Sequence, residues 1–418
     1  MSRQDLMLWS DPPQKPSRRS FIKGASALAL ANSQISSALN LQSRSKGGKV
    51  FAYVGTDTSA IDGKANGRGI YLFEMDTSSG RLSLIKLAAE AKSPSWLCLD
   101  PSQRYLYAAN EISDFEGKSG SISAYAVDPS KGDLRLLNTI SSQGAGPAHL
   151  SVDASGKYVF VANYGGGSIA VLPVAPDGSL GAATFTHRDQ DHVGSQKATS
   201  APPGSFAISG HDAPHAHMIG ADPGNRFVVQ TDLGQDRIYV YNFDKHTGKL
   251  SPAATPFASL PTGDGPRHFA FHPNGQWLYS IQEEASTVVF FHFDPATGSM
   301  AAQQTVSTLP NGFAGTSFAS EIRVSPDGRA LYAANRLHNT ISVFSIGSNG
   351  ELKRIGETPT LGDYPPQFNF DPSGTFLYAC NQRSDQITSF RIDKRTGLLS
   401  FTGHYTPVGT PTCIIFMS

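Results

Sequence analysis

Residues 147–174 read PAHLSVDASGKYVFVANYGGGSIAVLPV, and residues 266–293 read PRHFAFHPNGQWLYSIQEEASTVVFFHF. The two stretches align without a gap, and the same pattern returns at 320–346 (SEIRVSPDGRALYAANRLHNTISVFSI) and 366–392 (PQFNFDPSGTFLYACNQRSDQITSFRI). Residues 214–243 fit with small shifts, and residues 94–110 supply the first half of the unit. Self-similarity at such a period marks a repeat architecture. Each unit reads as strand, turn, strand, turn, strand. Its first turn, as at Ser325-Pro326-Asp327-Gly328, combines the fixed φ of proline with a glycine able to take positive φ. Runs such as Tyr158-Val159-Phe160-Val161-Ala162 and the alternation Ile341-Ser342-Val343-Phe344 have strand character. A Gly-x-Leu element then opens a fourth strand, at Gly178-Ser179-Leu180, Gly248-Lys249-Leu250, Gly350-Glu351-Leu352 and Gly397-Leu398-Leu399.

Four antiparallel strands per repeat make a propeller blade. The turn anchors fall at positions 101, 154, 223, 273, 326 and 372, at intervals of 53, 69, 50, 53 and 46 residues, which gives six blades. Two remnants are left, residues 49–74 (KVFAYVGTDTSAIDGKANGRGIYLFE) and residues 411–417 (PTCIIFM). Neither can bury its faces alone. Paired in one blade they close the ring and remove the open edge. The expected fold is therefore an all-β, seven-bladed β-propeller over residues 49–418. The 69-residue interval holds an insertion at about 186–213, expected as a loop over one face.

Composition agrees with many short strands: 41 Gly, 27 Pro and only 16% charged residues in 418. Lys plus Arg equals Asp plus Glu, 34 against 34, so nothing points to nucleic acid or an anionic membrane as partner. A monomer is expected. Cys98, Cys380 and Cys413 lie far apart in apolar strand contexts and read as small buried hydrophobes. Near the start, Ser17-Arg18-Arg19-Ser20-Phe21-Ile22-Lys23 precedes a short apolar run at 24–31 (GASALALA). A twin arginine before a mild apolar segment is a bacterial export address, and the run is too short to span a bilayer. Residues 1–38 are thus expected as a twin-arginine signal read by the Tat machinery, residues 39–48 as a linker, and the mature protein as periplasmic or secreted.

Ionisable residues recur at two places in the unit. His149, His217, Arg267, His268 and Glu321 come just before its first strand. Asn163, Asp232, Glu283, Asn335, Arg336, Asn381 and Gln382 come at the end of its second. Antiparallel neighbours bring a start beside an end, so both sets are expected at one mouth of the central channel. Asn163, Asn335 and Asn381 recur before turns and read as scaffold. Arg267, Glu283 and Arg336 differ in type between repeats, as a site would require. His215 and His217, at i and i+2, would share one face of a strand, but no Cys or carboxylate pattern completes a metal-ligand set. No metal and no organic cofactor are expected. There is no nucleophile elbow, P-loop or dinucleotide fingerprint.

GPRHFAFHPNGQWLYSIQEE (265–284), VSPDGRALYAANRLHNTISVF (324–344), PHAHMIGADPGNRFVVQTDLGQDRIYVYNF (214–243) and the opening YVGTDTS with GRGIYLFEMDTSSGRL together resemble the lactonase family of seven-bladed propellers. That family includes bacterial propeller-type 6-phosphogluconolactonases and fungal carboxymuconate lactonizing enzymes. The resemblance covers residues 49–418 and implies a lactone hydrolase acting on a sugar lactone, phosphorylated or not. It places the catalytic positions at His217, Arg267, Glu283 and Arg336, with His149, His268, Glu321 and Gln367 as substrate-binding neighbours. Gln367 stands where relatives usually carry arginine. Glu283 is the first choice of base and His217 the second, with the two arginines holding the oxyanion. A non-catalytic exported propeller binding a sugar or protein, or a lactone-forming cycloisomerase, would use the same mouth.

Overall fold

The end of the chain is the innermost strand of the first blade. Pro411–Met417 pairs antiparallel with Val50–Thr56, which pairs with Gly69–Met75 and then Leu82–Glu90. The computed structural model describes residues 49–59, 65–190, 193–208 and 210–418. The signal and linker expected at 1–48 lie outside these residues. Six more four-stranded antiparallel sheets follow, so the described residues form seven blades. We number the mixed-terminus sheet blade 1. Blade 2 begins at Pro94–Leu99, blade 3 at Pro147–Val152 and blade 4 at Ala216–Ala221. Blades 5, 6 and 7 begin at Pro266–Phe271, Phe318–Val324 and Gln367–Phe370.

Blades are held by the apolar layers between them. Seven buried clusters each join residues of two adjacent blades. One of them packs Phe376, Tyr378 and Ile387 of blade 7 on Ala52, Phe73 and Ile414 of blade 1, which closes the ring. Tyrosines on the second strands seal the same interfaces. Tyr53, Tyr107, Tyr279, Tyr332 and Tyr378 donate to the carbonyls of Gly132, Gly178, Gly350, Gly397 and Gly80 on the following blade. A buried hydroxyl needs such a partner. Glycine is required at the receiving turn: Gly350 has φ +88°, and a Cβ there would meet the Phe290 ring at 2.3 Å.

In blades 2, 3, 4 and 7 the turn ahead of the second strand is fixed by an acidic cap. Asp100, Asp153, Asp222 and Asp371 each accept from two backbone N–H groups four and five residues on, as Asp222 does from Arg226 and Phe227. Cys380 and Cys413 are buried and Cys98 half-buried, all three as free thiols.

Blade 3 departs from expectation. Gly178-Ser179-Leu180 does not open its fourth strand; Leu180 only bridges back to Val174. The fourth strand is Phe185–Arg188, paired with Ser168–Pro173, inside the stretch expected to be loop. The intervening Gly181-Ala182-Ala183 offers no branched or aromatic side chain to the sheet, so pairing starts at Phe185. Further along the insertion, Ser205–Phe206 forms a short parallel pair with Gly315–Thr316.

Candidate active site

Two features of the blade build the site. In blades 2 to 6 the first strand carries a β-bulge at the same place, with the register shifting between Pro94 and Trp96, Pro147 and His149, Ala216 and Met218, Pro266 and His268, and Ala319 and Ile322. The C-terminal strand shifts likewise opposite Gly55 and Thr56. A bulge re-aims the extra residue. Ser95, Ala148, His217, Arg267 and Thr412 are such residues, and all line one cavity. The second feature is the residue that follows the end of each second strand's pairing with the third. Asp57, Glu111, Tyr164, Glu283, Arg336 and Gln382 occupy it, and they line the same cavity with Ser59, Trp96, His268 and Pro366.

The cavity holds about 230 Å³, which is below the ~300–1,000 Å³ usual for drug-sized ligands and suits something of monosaccharide size. A larger groove of 470 Å³ around Asp100, Tyr105 and Pro176 lies at the opposite ends of the strands, and no comparable set of histidines, arginines and glutamates converges on it.

On the side of blades 4 to 6, Glu283 binds two guanidiniums with one oxygen: Arg267 Nε at 2.9 Å and Arg336 Nη2 at 2.5 Å. Arg267 also donates to the carbonyl of Ser320 at 2.8 Å, and Arg336 to Tyr364 Oη at 3.3 Å. Burial and Arg336 pull Arg267 below the usual guanidinium range, against the attraction of Glu283 and Glu321. Burial also works against Arg336, but Glu283 and Tyr364 outweigh it and hold that group up.

His217 and His268 stand 5.0 Å apart, and His217 is 5.5 Å from Tyr164. Burial, then Arg267, holds both imidazoles well below the usual range, so both are neutral at pH 7. His217 Nδ1 is buried without a hydrogen-bond partner among the described residues. Across the mouth, burial and Asp57 push the Glu111 carboxyl up to about 7, against the neighbouring Ser95 hydroxyl and the attraction of Arg267.

The four expected catalytic residues are thus brought together, and His268 joins them. The other three expected neighbours are not among the residues lining the cavity: His149 follows the bulged Ala148, Glu321 lies within the blade 6 bulge, and Gln367 sits in a strand whose pairing shows no register shift. His149 is buried against Trp96 at 4.6 Å and accepts from Ile219 N. Glu321 lies buried 3.5 Å from His268 Nδ1. Gln367 engages its amide at both ends with the backbone of Ile414, which leaves it as a blade-to-blade link and not a cavity-lining group.

His215 and His217 do not share a face. The bulge turns His217 into the cavity, while His215 stacks on Tyr164 at 4.2 Å and bonds its carbonyl. Asp57, Ser95, Trp96, Glu111 and Tyr164 were not singled out from the sequence. A signal existed: Glu111 follows Asn110 as Arg336 follows Asn335 and Tyr164 follows Asn163.

The model of one family, described as "Lactonase, 7-bladed beta-propeller", matches residues 51–416. A protein of Bacillus subtilis named 6-phosphogluconolactonase is 35% identical over 370 residues, covering 88% of this chain and 99% of its own length. One of the same name from Formosa agariphila is 34% identical over 347 residues, covering 80% and 92%. Among solved structures, a periplasmic gluconolactonase of Pseudomonas aeruginosa superposes with a TM-score of 0.77 at 28% identity, covering 88% of this chain and 99% of its own.

Proposed function

The chain belongs to the lactonase family of seven-bladed β-propellers, and from that premise we propose that it hydrolyses a sugar lactone to the open-chain hydroxy acid at the mouth of its channel. The observation that carries this reading is the Arg267–Glu283–Arg336 cluster on the wall of a monosaccharide-sized cavity, with a neutral His217 beside it. The lactone carbonyl oxygen lies against the two guanidiniums, whose planar forks suit the charge that grows there. Water adds to the carbonyl carbon and gives its proton to His217. Collapse of the tetrahedral adduct breaks the ring C–O bond, and the proton returns to the departing ring oxygen.

Glu283, the first choice of base from the sequence, is already ion-paired with both arginines, so its part here is to align them. That favours His217 as proton acceptor. The base assignment predicts that His217→Ala lowers kcat by about two to four orders of magnitude, the range for a lost general base. Glu283→Gln should damage KM as well as kcat, because it loosens both arginines. Since the His217 imidazole is held well below 6.5, its neutral, active form persists on acidification, and the acid limb of kcat should fall well under pH 6.5. A pH-stat assay over a lactone panel measures all of this. Full activity in His217→Ala would return the base to Glu283, and hydrolysis no faster than the spontaneous rate in the wild type would remove the enzyme reading.

A further inference from the structure

The mouth has two unlike walls. In a ring of seven, blades 1 and 2 lie across the channel from blades 4 to 6, which carry the arginines and His217. What they present instead is acid and hydroxyl: Asp57, Ser59, Ser95, Glu111 and Thr412, with Trp96 among them. Asp57 is held by three donors on one oxygen, Ser59 N and Ser59 Oγ at 2.9 Å and Ser93 Oγ at 2.8 Å. Its other oxygen takes part in no hydrogen bond among the described residues. Glu111 makes no ion pair among them either, in contrast with Glu283. Carboxyl oxygens and hydroxyls beside an aromatic residue are complementary to the hydroxyls and C–H edges of a sugar ring.

The charge count points the same way. Three carboxyl groups line the cavity against two guanidiniums, and both guanidiniums already pair with Glu283. Arg383, exposed and stacked 3.8 Å over Tyr364, is not part of the lining. A phosphate monoester carries nearly two negative charges at neutral pH and calls for an excess of cations over carboxyl groups, which the described lining residues do not supply. Burial beside Asp57 already works against ionisation of Glu111, and a second anion there would meet the same repulsion.

We infer that the Asp57–Glu111 wall is the hydroxyl-recognition side of the site, and that the ligand it admits is an uncharged polyhydroxylated lactone in preference to its phosphate ester. This rests on the lactone-hydrolase reading above.

The test is kcat/KM of the full chain for glucono-1,5-lactone and for its 6-phosphate ester, in the wild type, Glu111→Gln and Glu111→Lys. The wild type should favour the unphosphorylated lactone. Glu111→Gln should raise KM for it by about tenfold, the scale of a lost charge-assisted hydrogen bond, with a smaller change in kcat. Glu111→Lys should shift the ratio of the two substrates toward the phosphate ester by at least as much. Equal or better turnover of the phosphate ester by the wild type would overturn the inference. So would a loss in Glu111→Gln that falls on kcat alone and equally for both substrates, since Glu111 would then act in the chemistry. If neither lactone is hydrolysed, the lactone-hydrolase reading itself has failed, and that outcome is distinct from a preference for the ester.

Discussion

Two neighbouring positions at the end of the second strand behave in opposite ways around the ring. The first is Asn110, Asn163, Asp232, Gln282, Asn335 and Asn381 in blades 2 to 7, all buried and polar. Its members bond the scaffold: Asn163 donates to Ser142 O, Asn335 to Thr308 O and Asn381 to Thr360 O. The second, one residue later, is Glu111, Tyr164, Leu233, Glu283, Arg336 and Gln382, different in nearly every blade and, Leu233 apart, facing the cavity. A requirement of the blade repeats with the blade. A requirement of the ligand, which meets each blade from a different side, does not.

The coarsest way to break this contrast is to open the ring on which both positions depend. Removing Pro411–Met417 strips blade 1 of its inner strand and exposes Phe51, Tyr53, Ala52 and Val54 partners that are now buried. The truncated chain should give no soluble, cooperatively melting protein. Normal expression with an unchanged melting transition would contradict the closure described above.

Asn163→Ala probes the repeated position alone. It removes donors to Ser142 O at 2.9 Å and Ser168 Oγ at 3.3 Å in a fully buried place. We expect a loss of about 1–3 kcal/mol in denaturant unfolding, the usual cost of leaving a buried group unsatisfied, with kcat/KM within a few-fold of wild type. A variant of normal stability with collapsed activity would show that the two positions are not divided as described.

The repeat made the fold legible. Unit length, turn chemistry and complementary end remnants were enough to count blades and to pair Pro411–Met417 with Val50–Thr56. The one misplaced blade strand, Phe185–Arg188, sits where a Gly-Ala-Ala segment delays pairing and shifts the blade out of the repeat's spacing. The site was legible by type and not by register. Arg267, Glu283 and Arg336 stand out because they break the pattern, and His217 through the family resemblance. Bulges change which residue of a strand faces the channel, and a sequence does not display them. His149 and Gln367 therefore read as cavity neighbours, although the preceding Ala148 and Pro366 are the residues that line it, and Glu321 lies within a bulge that leaves it buried against His268. Glu111 lies within a longer strand, Tyr105–Phe115, whose extension past Asn110 hides the end of the regular pairing.

The most direct test sets the two positions side by side in blade 6, with Asn335→Ala and Arg336→Lys measured for unfolding free energy and for lactone hydrolysis in a pH-stat. Arg336→Lys keeps the charge beside Glu283 but loses the planar fork, so kcat/KM should fall by about two to three orders of magnitude, the scale of one lost oxyanion donor, with a small change in stability. Asn335→Ala should do the reverse, losing stability and keeping hydrolysis within a few-fold of wild type. Arg336→Lys with wild-type hydrolysis, or Asn335→Ala inactive while fully folded, would contradict the account.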